Sequence, residues 1–201
     1  KISVIENIQA RKLKVAKVVG HFPVLSEAFV INQITGLMDA GHEVDILSFK
    51  QSAETQVHED VRKYKLLRKV VYIKRVPKYM FQTVLKFCVT FFRFVLFYPR
   101  EMMKVLDVKK YGNTYIMLDN FFKLSYFLGK KYDVIHCHFG PMAQQLVFLK
   151  DILPNLKIIT QFHGYDISSF IQREGKDTYS ELFKRGDYFL PVSEHFKNRL
   201  V

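Results

Sequence analysis

The feature that most constrains this chain is the alternation of short apolar runs with helix-like segments. Residues 14–19 read as a mostly apolar strand, a helix follows as far as Gly41, and residues 43–49 alternate like a second strand. A strand, a helix and a strand in so short a stretch form a βαβ unit, and such units build parallel sheets. Because the alternation continues along the chain, the sequence predicts a doubly wound α/β fold with a parallel sheet in a single domain.

The remaining elements are placed by the same periodicities. Ser26 is the predicted N-cap of the first helix, with Glu27 at its positive end, and Ser193 is the predicted cap of a last helix. Further strands are predicted at 70–73, 133–139, 156–162 and 188–192, and further helices at 79–98, 113–128, 143–151 and 177–185.

The charge is concentrated in one segment. The chain of 201 residues has a net charge of +12, yet residues 61–100 hold 11 basic residues and no acidic one, so the rest is at +1. A partner that responds to charge is therefore expected at this segment. The residues predicted to contact an anionic surface are Arg62, Lys63, Lys65, Arg68, Lys69, Lys74, Arg75 and Lys78.

The helix predicted at 79–98 carries eight aromatic residues and is near the length of a membrane span. Lys86 and Arg93 argue against a span, because charges are costly in the bilayer centre. Two alternatives stay open: a core helix, or a helix pressed on anionic lipid. Nucleic acid is not predicted as the partner, because no helix-turn-helix, zinc or RNP signature accompanies the basic residues.

Two cysteines, Cys88 and Cys137, are too few for a disulfide scaffold, which favours a reducing compartment. The first residue is Lys1 rather than Met, which indicates a processed or cut chain. Residues 1–14 contain no apolar run of the signal-peptide type. These features predict a cytoplasmic protein.

Ligands of an open parallel sheet bind at the carboxyl ends of its strands, and histidines cluster at those ends here. The chain has no G-x-G-x-x-G, no G-x-x-x-x-G-K-[ST] and no G-x-S-x-G, which argues against dinucleotide-binding domains, P-loop NTPases and serine hydrolases. His136 and His138 point to one face of a strand, so zinc is conceivable with His163, but Cys137 points away and no carboxylate is in the motif. The alternative is that His136 packs under a helix while His138 reaches the crevice, and no metal is predicted.

Four stretches, in this order, resemble one family: residues 22–34 (FPVLSEAFVINQI), 41–46 (GHEVDI), 133–140 (DVIHCHFG) and 160–166 (TQFHGYD) followed by 190–194 (LPVSE). Together they resemble the Rossmann-like N-terminal domain of retaining GT-B glycosyltransferases of group 1, or family 4. The form of the first stretch is similar to the branch that builds exopolysaccharides of the colanic-acid type.

The resemblance implies transfer of a sugar from a nucleotide-sugar donor to a glycan or lipid-linked acceptor, with retention and without a metal or cofactor. It also implies a second, C-terminal domain that binds the nucleotide sugar. Nothing in this chain matches that domain, so the chain alone is expected to be inactive. Many acceptors of the family are lipid-linked, which implies peripheral contact with the inner face of the cytoplasmic membrane.

Carried over by position, the resemblance places His163 against the donor sugar, as the catalytic residue. Gly20 and His21 lie near the donor diphosphate or the acceptor, and Ser26 and Glu27 face the acceptor. His138, Phe139 and Gly140 line the crevice floor, and Asp166, beside Gly164, holds the loop or an acceptor hydroxyl. The competing interpretation is a non-catalytic module on the same fold that binds a membrane or a partner.

Overall fold

A computed structural model describes residues 11–74 and 76–200, except the side chain of Leu200. Arg75, one of the predicted contacts with an anionic surface, lies outside the described residues, and so do residues 1–10, which belong to the segment predicted to lack a signal peptide. The strands are β1 (Lys14–Phe22), β2 (Glu43–Gln51), β3 (Val70–Tyr72), β4 (Val134–His138), β5 (Lys157–Phe162) and β6 (Tyr188–Pro191). The helices are α1 (Ala28–Asp39), α2 (Glu59–Lys63), α3 (Met80–Val95), α4 (Pro99–Val105), α5 (Val108–Tyr111), α6 (Thr114–Leu124), α7 (Gly140–Gln144), α8 (Leu149–Ile152), α9 (Gly164–Ile167), α10 (Ser169–Glu174), α11 (Ser180–Arg185) and α12 (Glu194–Leu200).

The six strands of the described residues form one parallel sheet in the order β3-β2-β1-β4-β5-β6. The sequence prediction of a doubly wound, Rossmann-like α/β domain is therefore confirmed. The strand order reverses between β1 and β4. These strands are neighbours in the sheet although two strands and six α-helices separate them in the chain. In this architecture the loops after those two strands diverge and leave a crevice between them.

Alternate residues of the strands supply two separate cores, one on each face of the sheet. One core contains Val19, Val44 and Ile46 with the buried side of α1, and Val61 and Leu66 belong to it. The larger core lies on the other face and contains Ala16, Val18, Ile135 and Cys137 with α4, α6, α7 and α8. Since β1 is buried on both faces, its sequence is nearly continuous in apolar residues, as a central parallel strand requires.

Several local predictions were wrong for identifiable reasons. Ser26 is not the N-cap: residues 25–27 form a 3-10 turn, α1 begins at Ala28, and no side chain caps it. The predicted helix at 143–151 is two short helices, α7 and α8, with the first beginning at Gly140 and Pro141. The predicted helix at 177–185 begins with a 3-10 turn before α11. The unpredicted helices are mostly of four to seven residues, too short for a 3.6-residue period to stand out.

Helix α3 lies on the surface, and none of its residues is buried. Phe87, Phe91 and Phe94 pack against the larger core, and the Lys86 ammonium lies 4.3 Å from the centre of the Phe122 ring. Helix α3 is therefore not a core helix: one side of it packs against the larger core, and the other side is exposed. No helix of the described ranges is long and apolar enough to span a membrane.

Candidate functional site

The carboxyl ends of β1, β4 and β5 meet around an open cavity of about 470 Å³. Its walls come from residues far apart in the sequence, and the topology brings them together at the point where the strand order reverses. The cavity is lined by Gly20, His21, Glu27, Phe139, Pro141, Met142, Gln144, Gln145, Tyr165 and Phe170. Three aromatic rings make this wall largely apolar, and two amides add a few polar groups, a combination that is typical of binding pockets.

His163 follows β5 and is half-buried at this edge of the sheet. Its ring packs between Phe139, at 4.5 Å between ring centres, and Phe29 of α1, at 4.8 Å. Burial lowers the pKa of His163 below its usual range, so the ring is neutral at pH 7. Its Nε2 atom is buried and has no hydrogen-bond partner among the described residues. His163 is not among the residues that line the cavity; it packs behind Phe139, so this nitrogen does not open into the cavity in the present arrangement.

Asp166 joins two loops beneath the cavity. Its carboxylate accepts hydrogen bonds from the backbone N–H of His163 and of Gly140, both at 2.7 Å. Burial raises the pKa of Asp166 to about 6, although the backbone N–H groups oppose the shift. Because Asp166 is fully buried, the expected contact with an acceptor hydroxyl is corrected: this carboxylate holds the loops after β4 and β5 together.

Phe139 and Gly140 differ in how they serve the crevice. Phe139 lines it, with a φ of 74°, a backbone region that costs a bulky residue of the order of 1–3 kcal/mol. Gly140 is fully buried and lies against Phe162 and Tyr179, so its predicted place on the crevice floor is corrected to one beneath it. Gly164 is half-buried at the start of α9 and faces Phe196.

His138 is also fully buried, so the expectation that it lines the crevice is corrected. Its ring lies against the ring of His163, with 5.8 Å between their centres, and against His136, at 4.9 Å. In residues 11–74 and 76–200 no group of three or more His, Cys, Asp or Glu side chains is arranged to hold a metal ion. The two strand histidines face Lys17 of β1, a buried residue that the sequence analysis did not single out.

Ser26 and Glu27 lie in the same turn but face two different depressions of the surface. Glu27 lines the cavity, and burial together with the nearby Glu54 raises the pKa of its carboxyl group. Ser26 is exposed and lines a different depression with residues 53–56. The structure therefore keeps Glu27 beside Gly20 and His21, and removes Ser26 from that group.

A second candidate surface is the outer side of α3. Its apolar residues recur at helical spacing and form one exposed stripe, with Phe81 77 % exposed, Phe92 70 % and Leu96 81 %. Lys74 and Lys78 are exposed at the start of this helix, and the Lys74 charge lowers the pKa of Lys86, second to burial. In contrast, Val61 and Leu66 pack into the α1 core on the other face, so the predicted basic residues do not form one surface.

No protein-family model matches the chain. The chain is 31 % identical over 186 residues to a protein of Escherichia coli K12 named as a colanic acid biosynthesis glycosyltransferase, WcaL, covering 89 % of the chain and 44 % of that protein. The protein of the same name from Salmonella typhimurium LT2 is 31 % identical over 195 residues, covering 94 % of the chain and 47 % of the relative. The amylovoran biosynthesis glycosyltransferase AmsK of Erwinia amylovora is 29 % identical over 192 residues, covering 90 % and 45 %.

The alignments cover about nine-tenths of the chain. The chain spans about half the length of the curated relatives it matches. Over that span it is similar to glycosyltransferases named for the biosynthesis of colanic acid and of amylovoran.

Proposed function

We propose that the chain is the acceptor-side, N-terminal half of a retaining GT-B glycosyltransferase of polysaccharide biosynthesis. The parent enzyme transfers a hexosyl group from a nucleotide sugar to a glycan or lipid-linked acceptor. The observation that carries the proposal is the cavity at the carboxyl ends of β1, β4 and β5, which is lined by Gly20, His21, Glu27 and Phe139. The neutral His163 packs directly behind Phe139. The similarity to named glycosyltransferases over about nine-tenths of the chain supports the same assignment.

In the proposed reaction the acceptor hydroxyl oxygen replaces the diphosphate oxygen at the anomeric carbon, and the hydroxyl proton leaves with the diphosphate. The nucleotide is bound mainly by a second domain outside this chain. His163 makes a hydrogen bond to the donor sugar as it reacts, for which its buried and unpartnered Nε2 becomes accessible in the complex. Gly20, His21 and Glu27 line the acceptor side. No metal ion or cofactor takes part in this proposal.

We expect the change His163→Ala in the full-length enzyme to lower transfer at least about 100-fold, since losing one preorganised hydrogen bond at a reacting centre costs that much. The assay measures polymer production in cells that lack the native gene and carry the variant. The matched control is His42→Ala, because His42 precedes β2 at the opposite edge of the sheet and accepts a hydrogen bond from the Leu13 N–H there. Normal transfer by the His163 variant would contradict the assignment, and an inverted product anomer, read by proton NMR, would contradict retention.

We also propose that the exposed stripe of α3 rests on an anionic membrane surface at the cytoplasmic face, where a lipid-linked acceptor is presented. Exposed apolar residues flanked by lysines are the features that an interfacial helix uses. The same stripe favours the second candidate function, a non-catalytic module that binds a membrane, because it does not depend on the crevice.

Reversing two charges, Lys74→Glu with Lys78→Glu, is expected to weaken binding to anionic vesicles at least tenfold, since each basic residue near such a surface contributes about 1 kcal/mol. The measurement is flotation with phosphatidylglycerol vesicles at low salt, beside phosphatidylcholine vesicles. Arg62→Glu with Lys63→Glu is the control, because these residues belong to α2, which packs on the other face of the sheet. Equal losses in both variants, or no flotation of the native chain, would contradict the assignment of this surface.

A further inference from the structure

Lys17 is a fully buried lysine in the centre of the sheet. It lies on β1 two residues from Val15 and from Val19, so its side chain points into the face covered by α1. Its ammonium donates to Gln33 Oε1 of α1 at 2.7 Å. It lies 2.8 Å from His136 Nδ1 and 3.4 Å from His138 Nε2, both on β4. One side chain thus links three elements directly beneath the crevice.

The partners of Lys17 are all neutral. No carboxylate among residues 11–74 and 76–200 forms an ion pair with it, and the nearby Cys137 thiol is kept protonated by burial, which raises its pKa. Desolvation lowers the pKa of Lys17 to about 7. An ammonium offers three N–H donors, and three acceptor atoms surround it here. Retaining a lysine in such a place costs stability, unless its hydrogen bonds are all made.

The two histidines begin a column of stacked rings that reaches the crevice. The His136 and His138 rings are nearly parallel, at 11°, and the His138 and His163 rings are at 25°. Phe29 contacts the rings of both His138 and His163. Gln33, on the same helix as Phe29, also donates from its amide nitrogen to Gln161 Oε1 of β5 at 3.0 Å. The orientation of His163 therefore depends on rings and amides that Lys17 holds.

We propose that Lys17 is a positioning residue: by donating to Gln33, His136 and His138 it fixes the tautomers of those two histidines and holds the column, and with it the His163 ring, in one orientation. The inference rests on the proposed function, in which His163 contacts the reacting sugar. If Lys17 donates to both rings, the proton of His136 is on Nε2 and the proton of His138 is on Nδ1. The tautomers are a direct consequence of the geometry, and no substrate is needed to observe them.

The test is nitrogen-15 NMR of the histidine rings at pH 6 in the full chain, native and Lys17→Met, because Lys17 is then mostly an ammonium while His136 and His138 stay neutral. The native protein is expected to show those two tautomers and a single signal set for His163. Lys17→Met is expected to mix the tautomers of His136 and His138 and to split or broaden the His163 signals. Native signals with the opposite tautomers, or a His163 ring unchanged in the variant, would overturn the proposal. Gln33→Ala removes one acceptor of Lys17 and the donor to Gln161 but leaves both histidine contacts, and it gives a second and milder test if the methionine variant fails to fold.

Lys150→Met is the matched control, because Lys150 is a partly buried lysine bonded to Asp187 at the amino ends of β5 and β6. It should lower stability and leave the histidine tautomers unchanged. In the full-length enzyme, Lys17→Met is expected to lower kcat about tenfold and leave the donor KM within twofold. Expected NMR results together with an active His163→Ala variant would refute the proposed function but not the positioning of the ring. A higher donor KM with an unchanged kcat would argue against positioning.

Discussion

Replacing Gly140 with alanine is expected to lower the free energy of unfolding by about 3 kcal/mol, the upper part of the range for overpacked cores. An added Cβ would lie 2.6 Å from Phe162 Cε1 and 2.6 Å from Tyr179 Cζ, closer than side-chain carbons approach in folded proteins. Both rings belong to the larger core and are at most 1 % exposed, so neither can move without displacing its neighbours. The Tyr179 hydroxyl also donates to the Asp166 carbonyl at 3.0 Å, and that bond would be lost if the ring turned.

The measurement is urea unfolding followed by circular dichroism, with a fall of about 10 °C in Tm as the thermal counterpart. Gly36→Ala is the matched control: Gly36 lies inside α1, and an added Cβ there has no atom within 4 Å. That variant is expected to gain about 0.5–1 kcal/mol, because alanine restricts the unfolded chain and favours the helix. A Gly140 variant as stable as the native protein would show that the two rings can adjust.

The same substitution bears on the crevice. The N–H of Gly140 donates to Asp166, and the other oxygen of that carboxylate accepts from the N–H of His163. A shift of Gly140 is therefore transmitted to the backbone of His163 through a single buried carboxylate. The requirement for glycine after Phe139 is a packing requirement of the core that also fixes the site.

The fold could be predicted from the sequence because its signals are local and long enough to be seen. The βαβ unit at 14–49, the apolar run at 133–139 and the run at 156–162 all became neighbouring parallel strands, as alternation and strand length indicated. Histidine and glycine at strand ends also pointed to the edge of the sheet where the cavity lies. These inferences need only periodicity and the rule that ligands bind at carboxyl ends.

What the sequence could not predict depends on contacts between distant residues. Nothing near Asp166 in the sequence indicates that its carboxylate binds Gly140, 26 positions away. His138 and Phe139 are adjacent, yet one is buried and the other lines the cavity, because the backbone of Phe139 takes a positive φ. Lys17 had one available signal: a lysine between two inward-facing valines of a central strand must be buried with polar partners.

Acid is expected to destabilise the protein steeply below pH 6.5, because three histidines of the column resist protonation. Burial, with the Lys17 charge second, lowers the pKa of His136 to about 3 and that of His138 to about 2. In the unfolded chain these groups protonate near pH 6.5. Between pH 6.5 and the lowered values the unfolded state therefore binds more protons than the folded state, so stability falls as the pH falls. Burial moves the pKa of His163 in the same direction.

His136 and His138 together account for a loss of about 4–5 kcal/mol between pH 6.5 and pH 4.5 by this linkage. Asp166 works against them. Its pKa is raised to about 6, so the folded state binds the extra proton there. This binding raises the free energy of unfolding by about 2 kcal/mol over the same interval. The net expectation is a fall of about 3 kcal/mol, measured as the urea midpoint at pH 6.5, 5.5 and 4.5.

A variant that keeps the acceptors and removes the titration separates this cause from general acid unfolding. His136→Asn places an amide oxygen where Nδ1 accepts from Lys17, and His138→Gln places one where Nε2 does. The double variant should lose most of the pH dependence below pH 6.5, and an unchanged slope would exclude the column as its origin.

Above pH 7 the direction of the pH dependence of stability follows from Lys17, whose pKa is lowered to about 7. The unfolded state then holds the extra proton up to about pH 10, so stability rises across that interval. Lys17→Met should abolish this rise and weaken the acid limb only in part, because burial is the larger cause of the lowered histidine pKa values.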